Sequence, residues 1–163
     1  MACVATPVSV VTAMAGAGLP SGATVSAFTS LSIDPPMVVV ALDSRSRTLD
    51  AIRECGAFGL DILGAEQADV ALSFAAKGGA EKCRGTAWDI DRGPPRIDRS
   101  PAWVASTVAD LADGGDHVIV LGRARAAEVT GGRPPLVYRR RSFGTHLPDG
   151  VPPTRAPAPT RAG

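Results

Sequence analysis

Cysteine is scarce in this chain: Cys3, Cys55 and Cys83 are three thiols in 163 residues, odd in number and with no CxxC pair. A disulfide framework is therefore excluded as the source of stability, and a reducing, cytoplasmic setting is expected. Histidine is scarcer still. His117 and His146 stand far apart, which leaves no ligand set for a metal. Neither sign of charge prevails, since seventeen Lys plus Arg against sixteen Asp plus Glu give a net charge of +1. Binding to nucleic acid or a membrane surface by bulk electrostatics needs a concentrated basic face, so small molecules and proteins are the expected partners. Long hydrophobic runs are missing, and the opening MACVATPVSVVTA has no basic flank, so neither a membrane span nor a signal peptide is read.

What is present suits one globular domain. At 45% hydrophobic residues, a chain of this length buries roughly two thirds of the surface it exposes when unfolded, and needs no metal or cross-link to do so. Runs rich in Val and Thr at Val8 to Ala13, Thr24 to Thr29 and Met37 to Leu42 are set off by Gly and Pro clusters, the pattern of short strands joined by turns. Further strands are expected at Phe58 to Leu63, His117 to Ala127 and Leu136 to Tyr138. Ser46 to Gly56 reads as a two-turn helix with a hydroxyl cap and a terminal glycine, and Glu66 to Ala76 as a second helix. Lys77 to Pro101 lacks periodicity and reads as a long excursion, the kind of loop that usually covers a site. The last sixteen residues, 148–163, hold five prolines and almost no large apolar group, so a disordered tail is expected after a domain of residues 1–147. Strands without βαβ alternation predict an antiparallel barrel or sandwich.

Several chemistries can be set aside. Gly16-Ala-Gly18-Leu-Pro-Ser-Gly22 imitates a dinucleotide-binding fingerprint, but its third Gly comes one residue late, and Pro20 and a β-branched run stand where a helix must open. A hairpin turn is the better reading. No G-x-S-x-G elbow supports a serine nucleophile, and His117 is the one candidate base in the ordered part.

The most specific stretch is Gly22-Ala-Thr-Val-Ser-Ala-Phe-Thr-Ser-Leu-Ser-Ile-Asp-Pro-Pro36, followed by a Val run and Leu42-Asp-Ser-Arg-Ser-Arg-Thr48. With the VVTA strand before it, Gly114-Gly-Asp-His117 and Pro135-Leu-Val-Tyr138 after it, the chain from Val8 to Gly144 resembles the FMN-binding split-barrel flavin reductase family, the reductase components of two-component flavin-dependent monooxygenases. The resemblance implies a mainly β fold, an antiparallel Greek-key split barrel with short peripheral helices. It implies FMN or FAD as the flavin, NADH or NADPH as hydride donor, a homodimer with the flavin near the subunit interface, and a partner monooxygenase that receives reduced flavin by diffusion.

The residues fit that chemistry on their own terms. Thr24, Val25, Ser26, Ala27 and Ser30 form a hydroxyl-dense strand and turn whose backbone and side chains suit the pyrimidine edge and ribityl oxygens of a flavin. A half-exposed strand would also be rich in Thr and Ser. Ser44, Ser46, Arg47 and Thr48 gather hydroxyls, a guanidinium and a helix start, an arrangement suited to the flavin phosphate; a helix cap beside a solvated Arg is the plainer account. By the resemblance, His117 lies at the nicotinamide site and orients the pyridine nucleotide, with Tyr138, Arg141 and Phe143 beside it. Hydride transfer needs stacked rings and excluded water, so no acid–base pair is required and no catalytic residue is assigned. Two features depart from the family pattern: Arg141 and Phe143 stand where Gly and Tyr are usual, and the first strand opens the chain without a preceding helix. Fifteen of the seventeen basic residues are Arg, a bias of GC-rich bacteria, where such reductases serve natural-product pathways. A flavin carrier or sensor without turnover is the alternative, with the Arg141 region blocking nicotinamide.

Overall fold

The computed structural model describes residues 3–76, 80–83, 85–90 and 93–146. The expected disordered tail, 148–163, lies outside them. The chain opens with β1 (Thr6–Pro7) and β2 (Ser9–Ala15), turns through Gly16–Gly18 into β3 (Leu19–Val25), and continues with β4 (Phe28–Ile33) and β5 (Pro36–Asp43). Helix α1 (Arg47–Cys55), β6 (Ala57–Ile62) and helix α2 (Ala68–Ala75) follow, then a 3-10 turn at Ala80–Cys83 and the short strands β7 (Trp88–Asp89) and β8 (Arg96–Ile97). Two long strands, β9 (Ala102–Gly114) and β10 (His117–Val129), lead to the closing hairpin of β11 (Leu136–Arg139) and β12 (Ser142–Thr145).

Seven strands make one antiparallel sheet in the order β3-β2-β6-β9-β10-β5-β4. The fold is mainly β and antiparallel, as expected, but the ladder stays open between its edges β3 and β4. The sheet curls until β3 comes within contact of β5. Inside the curl lie Val11, Val40, Leu42, Phe58, Leu60 and Val120, closed off by Leu49 and Ile52 of α1. Burying each of those two α1 side chains contributes about 1.5–3 kcal/mol. On the outer face Val10, Leu63, Phe74 of α2, Ile97 and Leu136 form a second core. Because β2 and β6 are covered on both faces, most of their residues are buried whichever way they point, Ser9, Thr12 and Asp61 among them.

Local sequence explains the boundaries. In α1, Thr48, Leu49, Ala51 and Ile52 recur at helical spacing and are buried, and Gly56 stops the helix with φ +70° while its N–H donates to the Ile52 carbonyl at 2.8 Å. The glycine-rich decoy is the β2–β3 hairpin turn, with Gly18 at φ +71°. Four expectations need correction. The strand expected across Thr24 to Thr29 breaks at Ser26 and Ala27, where the chain passes from one sheet edge, β3, to the other, β4; period-two alternation does not show such a bend when no Gly or Pro marks it. Ser46 occupies the cap position of α1 but makes no capping side-chain bond. The second helix is shorter than expected, because Gln67 turns its side chain to the Gly64 N–H and the Asp98 carbonyl. The excursion is packed at its far end: Pro95, Ile97 and Ser100 are buried, and Trp88 meets Phe74 edge-on at 5.5 Å.

Candidate functional site

The two stretches that sequence singled out meet along β3. A cleft of about 730 Å³ has β3 from Leu19 to Thr24 as its floor. One wall is the Asp43-to-Thr48 bend and the start of α1; the other is the end of α2 with Lys82 of the 3-10 turn. A second recess of about 260 Å³ continues from Ala23 and Thr24 along Val25, Ser26 and Ala27 to Leu42, Asp43, Ser46 and His117. Ala23, Thr24, Asp43 and Ser46 border both, so the two form one continuous groove, within the range of small-molecule sites.

Backbone hydrogen bonds place the walls. Ser46 N–H donates to the Asp43 carbonyl at 2.9 Å and Ser44 N–H to the Asp116 carbonyl at 2.9 Å, which fixes the bend against the β9–β10 turn. His117 stands opposite Asp43 in the β10–β5 register and carries Asp116 on its Nδ1 at 2.7 Å. Thr48, buried at the start of α1, shares a 3.0 Å bond with the Ser21 hydroxyl and so ties α1 to the floor. The Cys83 thiol does the same for the opposite wall, donating to the Pro20 carbonyl at 3.3 Å.

Polar capacity is distributed unevenly. The Thr24 hydroxyl donates to the Ala71 carbonyl of α2 at 2.7 Å, so it positions the floor and keeps only acceptor capacity for a ligand. Asp43 accepts from the Arg45 backbone N–H at 2.8 Å and from its guanidinium at 3.2 Å on each oxygen. Those bonds, the guanidinium's above all, hold the Asp43 carboxyl down at a pKa of about 2. Burial lowers the Lys82 ammonium from its ordinary range, the Cys83 thiol opposes that shift, and repulsion from Arg47 across the groove adds to it.

Of the residues singled out from sequence, the groove brings together Thr24, Val25, Ser26, Ala27, Ser46, Arg47, Thr48 and His117. It does not include Ser30, exposed on edge strand β4, or Ser44, exposed on the outer side of the bend. Tyr138, Arg141 and Phe143 belong to the three-stranded sheet β1-β11-β12, where the Tyr138 and Phe143 rings sit 5.2 Å apart. That hairpin turns through Arg140 and Arg141, both at positive φ. Sequence reasoning missed Lys82, Ser21, Leu19 and Phe74 in the lining. Lys82 sits in an aperiodic stretch that offers no signal, whereas Ser21 and Leu19 were inside the segment read only as a turn.

This donor set suits a phosphorylated, polyhydroxyl ligand: open hydroxyls and backbone at one end, and two cations without carboxylate partners among the described residues at the other. Comparison with known proteins agrees. The family described as "Flavin reductase like domain" matches residues 1–146. The chain is 38% identical over 128 residues to a probable flavin reductase of Rhizobium meliloti, a match covering 78% of this chain and 41% of that protein. It is 40% identical over 144 residues to the reductase component of a 4-nitrophenol 4-monooxygenase/4-nitrocatechol 2-monooxygenase of Rhodococcus opacus, covering 88% of this chain and 76% of that one. An NADH:FAD oxidoreductase of Streptomyces globisporus, solved in complex with NAD and FAD fragments, superposes with a TM-score of 0.84 at 27% identity, covering 92% of this chain and 90% of that one. The chain thus spans about two fifths of the Rhizobium protein and most of the other two.

Proposed function

The chain belongs to the flavin reductase-like domain family, and from that membership we propose that it is an NAD(P)H:flavin oxidoreductase that passes reduced FMN or FAD to a partner flavin-dependent monooxygenase. The observation that carries the reading is the meeting of the Thr24-to-Ala27 segment, the Ser46-to-Thr48 bend and His117 in one groove. When bound there, the flavin supplies the ring that accepts hydride. The protein's own part is placement. The β3–β4 turn after Val25 offers the Ser26 backbone and the Ala27 N–H to the ring's polar edge, the Ala27 carbonyl being taken by the Ala41 N–H at 2.9 Å, and Arg47 takes the phosphate. His117, held by Asp116, orients the nucleotide at the open end.

Related reductases work with monooxygenases, including the 4-nitrophenol system above, and the match to an actinorhodin polyketide dimerase of Streptomyces coelicolor supports a natural-product pathway. Tyr138, Arg141 and Phe143 enter the proposal as nicotinamide-side residues, and Ser30 and Ser44 as outer flavin contacts. A homodimer gives these residues a place in the reading, since they lie outside the groove of their own chain. Free thiols at Cys3, Cys55 and Cys83 support a reducing cytoplasm, and no helix among the described residues is long and apolar enough to cross a membrane.

Mixing the protein with NADH or NADPH and excess FMN or FAD, and following loss of the reduced-nicotinamide absorbance, tests the assignment. Turnover that scales with free flavin is expected. Tight, stoichiometric flavin without turnover would overturn it in favour of a carrier or sensor.

A further inference from the structure

Among the described residues, the groove holds more positive charge than its lining neutralises. Asp43 is its lining carboxylate, and Arg45 engages both Asp43 oxygens. Arg47 and Lys82 border the same space with no ion pair among the described residues; Lys82 makes only a long 3.4 Å bond to the Phe74 carbonyl. Two cations that no described carboxylate pairs suit a ligand with more than one negative charge.

Their order along β3 says how that charge is arranged. Moving from the ring end at Val25 toward Leu19, α1 is pinned at Ser21 by Thr48, and the 3-10 turn is pinned at the next residue, Pro20, by Cys83. Arg47 immediately precedes Thr48, and Lys82 immediately precedes Cys83. The two walls that carry these cations are therefore anchored at consecutive residues of one strand, about 3.3 Å apart along it. Past them the groove continues. Leu19, 53% exposed, and Pro20 line its far end and offer an apolar platform.

We propose that the groove is built for a flavin dinucleotide, with Arg47 on the phosphate nearer the ring, Lys82 on the second phosphate, and the terminal base lying on Leu19 and Pro20. This rests on the assignment of the groove to flavin and adds which flavin it takes. A mononucleotide would place one phosphate between two cations and leave the Leu19 end empty.

Calorimetric titration of the full chain with FAD, FMN and riboflavin tests it, with Lys82→Gln and Leu19→Ser as variants and urea midpoints as a check on folding. The wild type is expected to bind FAD more tightly than FMN. Lys82→Gln should weaken FAD about tenfold, the loss of one charge-assisted hydrogen bond, while FMN moves less than about twofold. Leu19→Ser should weaken FAD alone, so the second variant keeps the test alive if the first disturbs the turn. Equal losses for FAD and FMN in Lys82→Gln would put Lys82 on the shared phosphate and overturn the proposal, as would no loss for either. A wild type that binds none of the three flavins would bring down the flavin assignment itself, and this proposal with it.

Discussion

Asp43 ends β5 and Asp61 lies one residue before the end of β6 in the same sheet, and the fold treats them in opposite ways. Asp43 lies where the two recesses of the groove meet, and the Arg45 side chain and backbone hold its carboxyl down at a pKa of about 2. Asp61 lies near the end of β6, fully buried beneath the packed end of the excursion. Its Oδ1 accepts from Ile97 N–H at 2.9 Å, its Oδ2 has no partner, and burial drives its pKa far above the ordinary value against the pull of that bond. The Ser100 hydroxyl stands near the carboxyl without reaching hydrogen-bonding geometry, and the Trp103 indole N–H is likewise buried and unpaired. Unused hydrogen-bonding capacity thus has two meanings in one molecule. In an open groove it addresses a ligand; sealed in the core it shifts an acid toward its neutral form.

Breaking the buried member has the largest effect. Asp61→Ala leaves the Ile97 N–H buried without an acceptor, and should lower unfolding free energy by about 1–3 kcal/mol in urea titration. Asp61→Asn keeps the acceptor and should lie much closer to wild type at acidic pH. The pH series sharpens the contrast. Because the folded pKa of Asp61 is raised, its contribution is complete below the unfolded value of about 4 and is lost as pH climbs toward the folded one. Asn has no such slope, so the asparagine variant should gain on wild type as pH rises; parallel curves would refute a neutral Asp61. Next in size, His117→Ala should raise the apparent KM for pyridine nucleotide about three- to tenfold and that for flavin less, as expected for one orienting hydrogen bond. Unchanged nucleotide kinetics would remove His117 from that role. The smallest effect belongs to Asp43. With its pKa lowered to about 2, the Arg45 contact matters above the carboxylate range and fades as pH falls from there. Asp43→Asn should leave the urea midpoint at pH 7 unmoved within error, yet tighten flavin binding about twofold at low salt by freeing Arg45 toward the groove.

What could be read from the sequence follows from where local and tertiary signals agree. Helix α1 was legible because its apolar spacing, its polar start and Gly56 all describe one helix. The strands β2, β5 and β10 were legible through β-branched residues that the core uses directly, and β6 through the apolar run Phe58 to Leu63. Strand β9 was not, although it pairs with both β6 and β10. Its sequence, AWVASTVADLADG, intersperses its Trp, Val and Thr with Ala, Asp and Gly, which rarely favour strands, and its second half is exposed, so cross-strand pairing adds what propensity leaves short. The same division holds in the groove. Ser46 to Thr48 and Thr24 to Ala27 carry their chemistry in their side chains and spacing, but Lys82 reaches the groove only because Cys83 hangs the 3-10 turn on Pro20. No local pattern encodes that contact.

The pairing of β1 with β11 sets the order in which the chain can assemble. Thr6 faces Tyr138 across that ladder, so the small sheet forms only after the two extremes of the described chain have found each other. The β9–β10 hairpin closes a short loop and organises the centre early, at little entropic expense. The terminal sheet closes the longest loop for two rungs of ladder, which places it among the last regions to form and the first to fray.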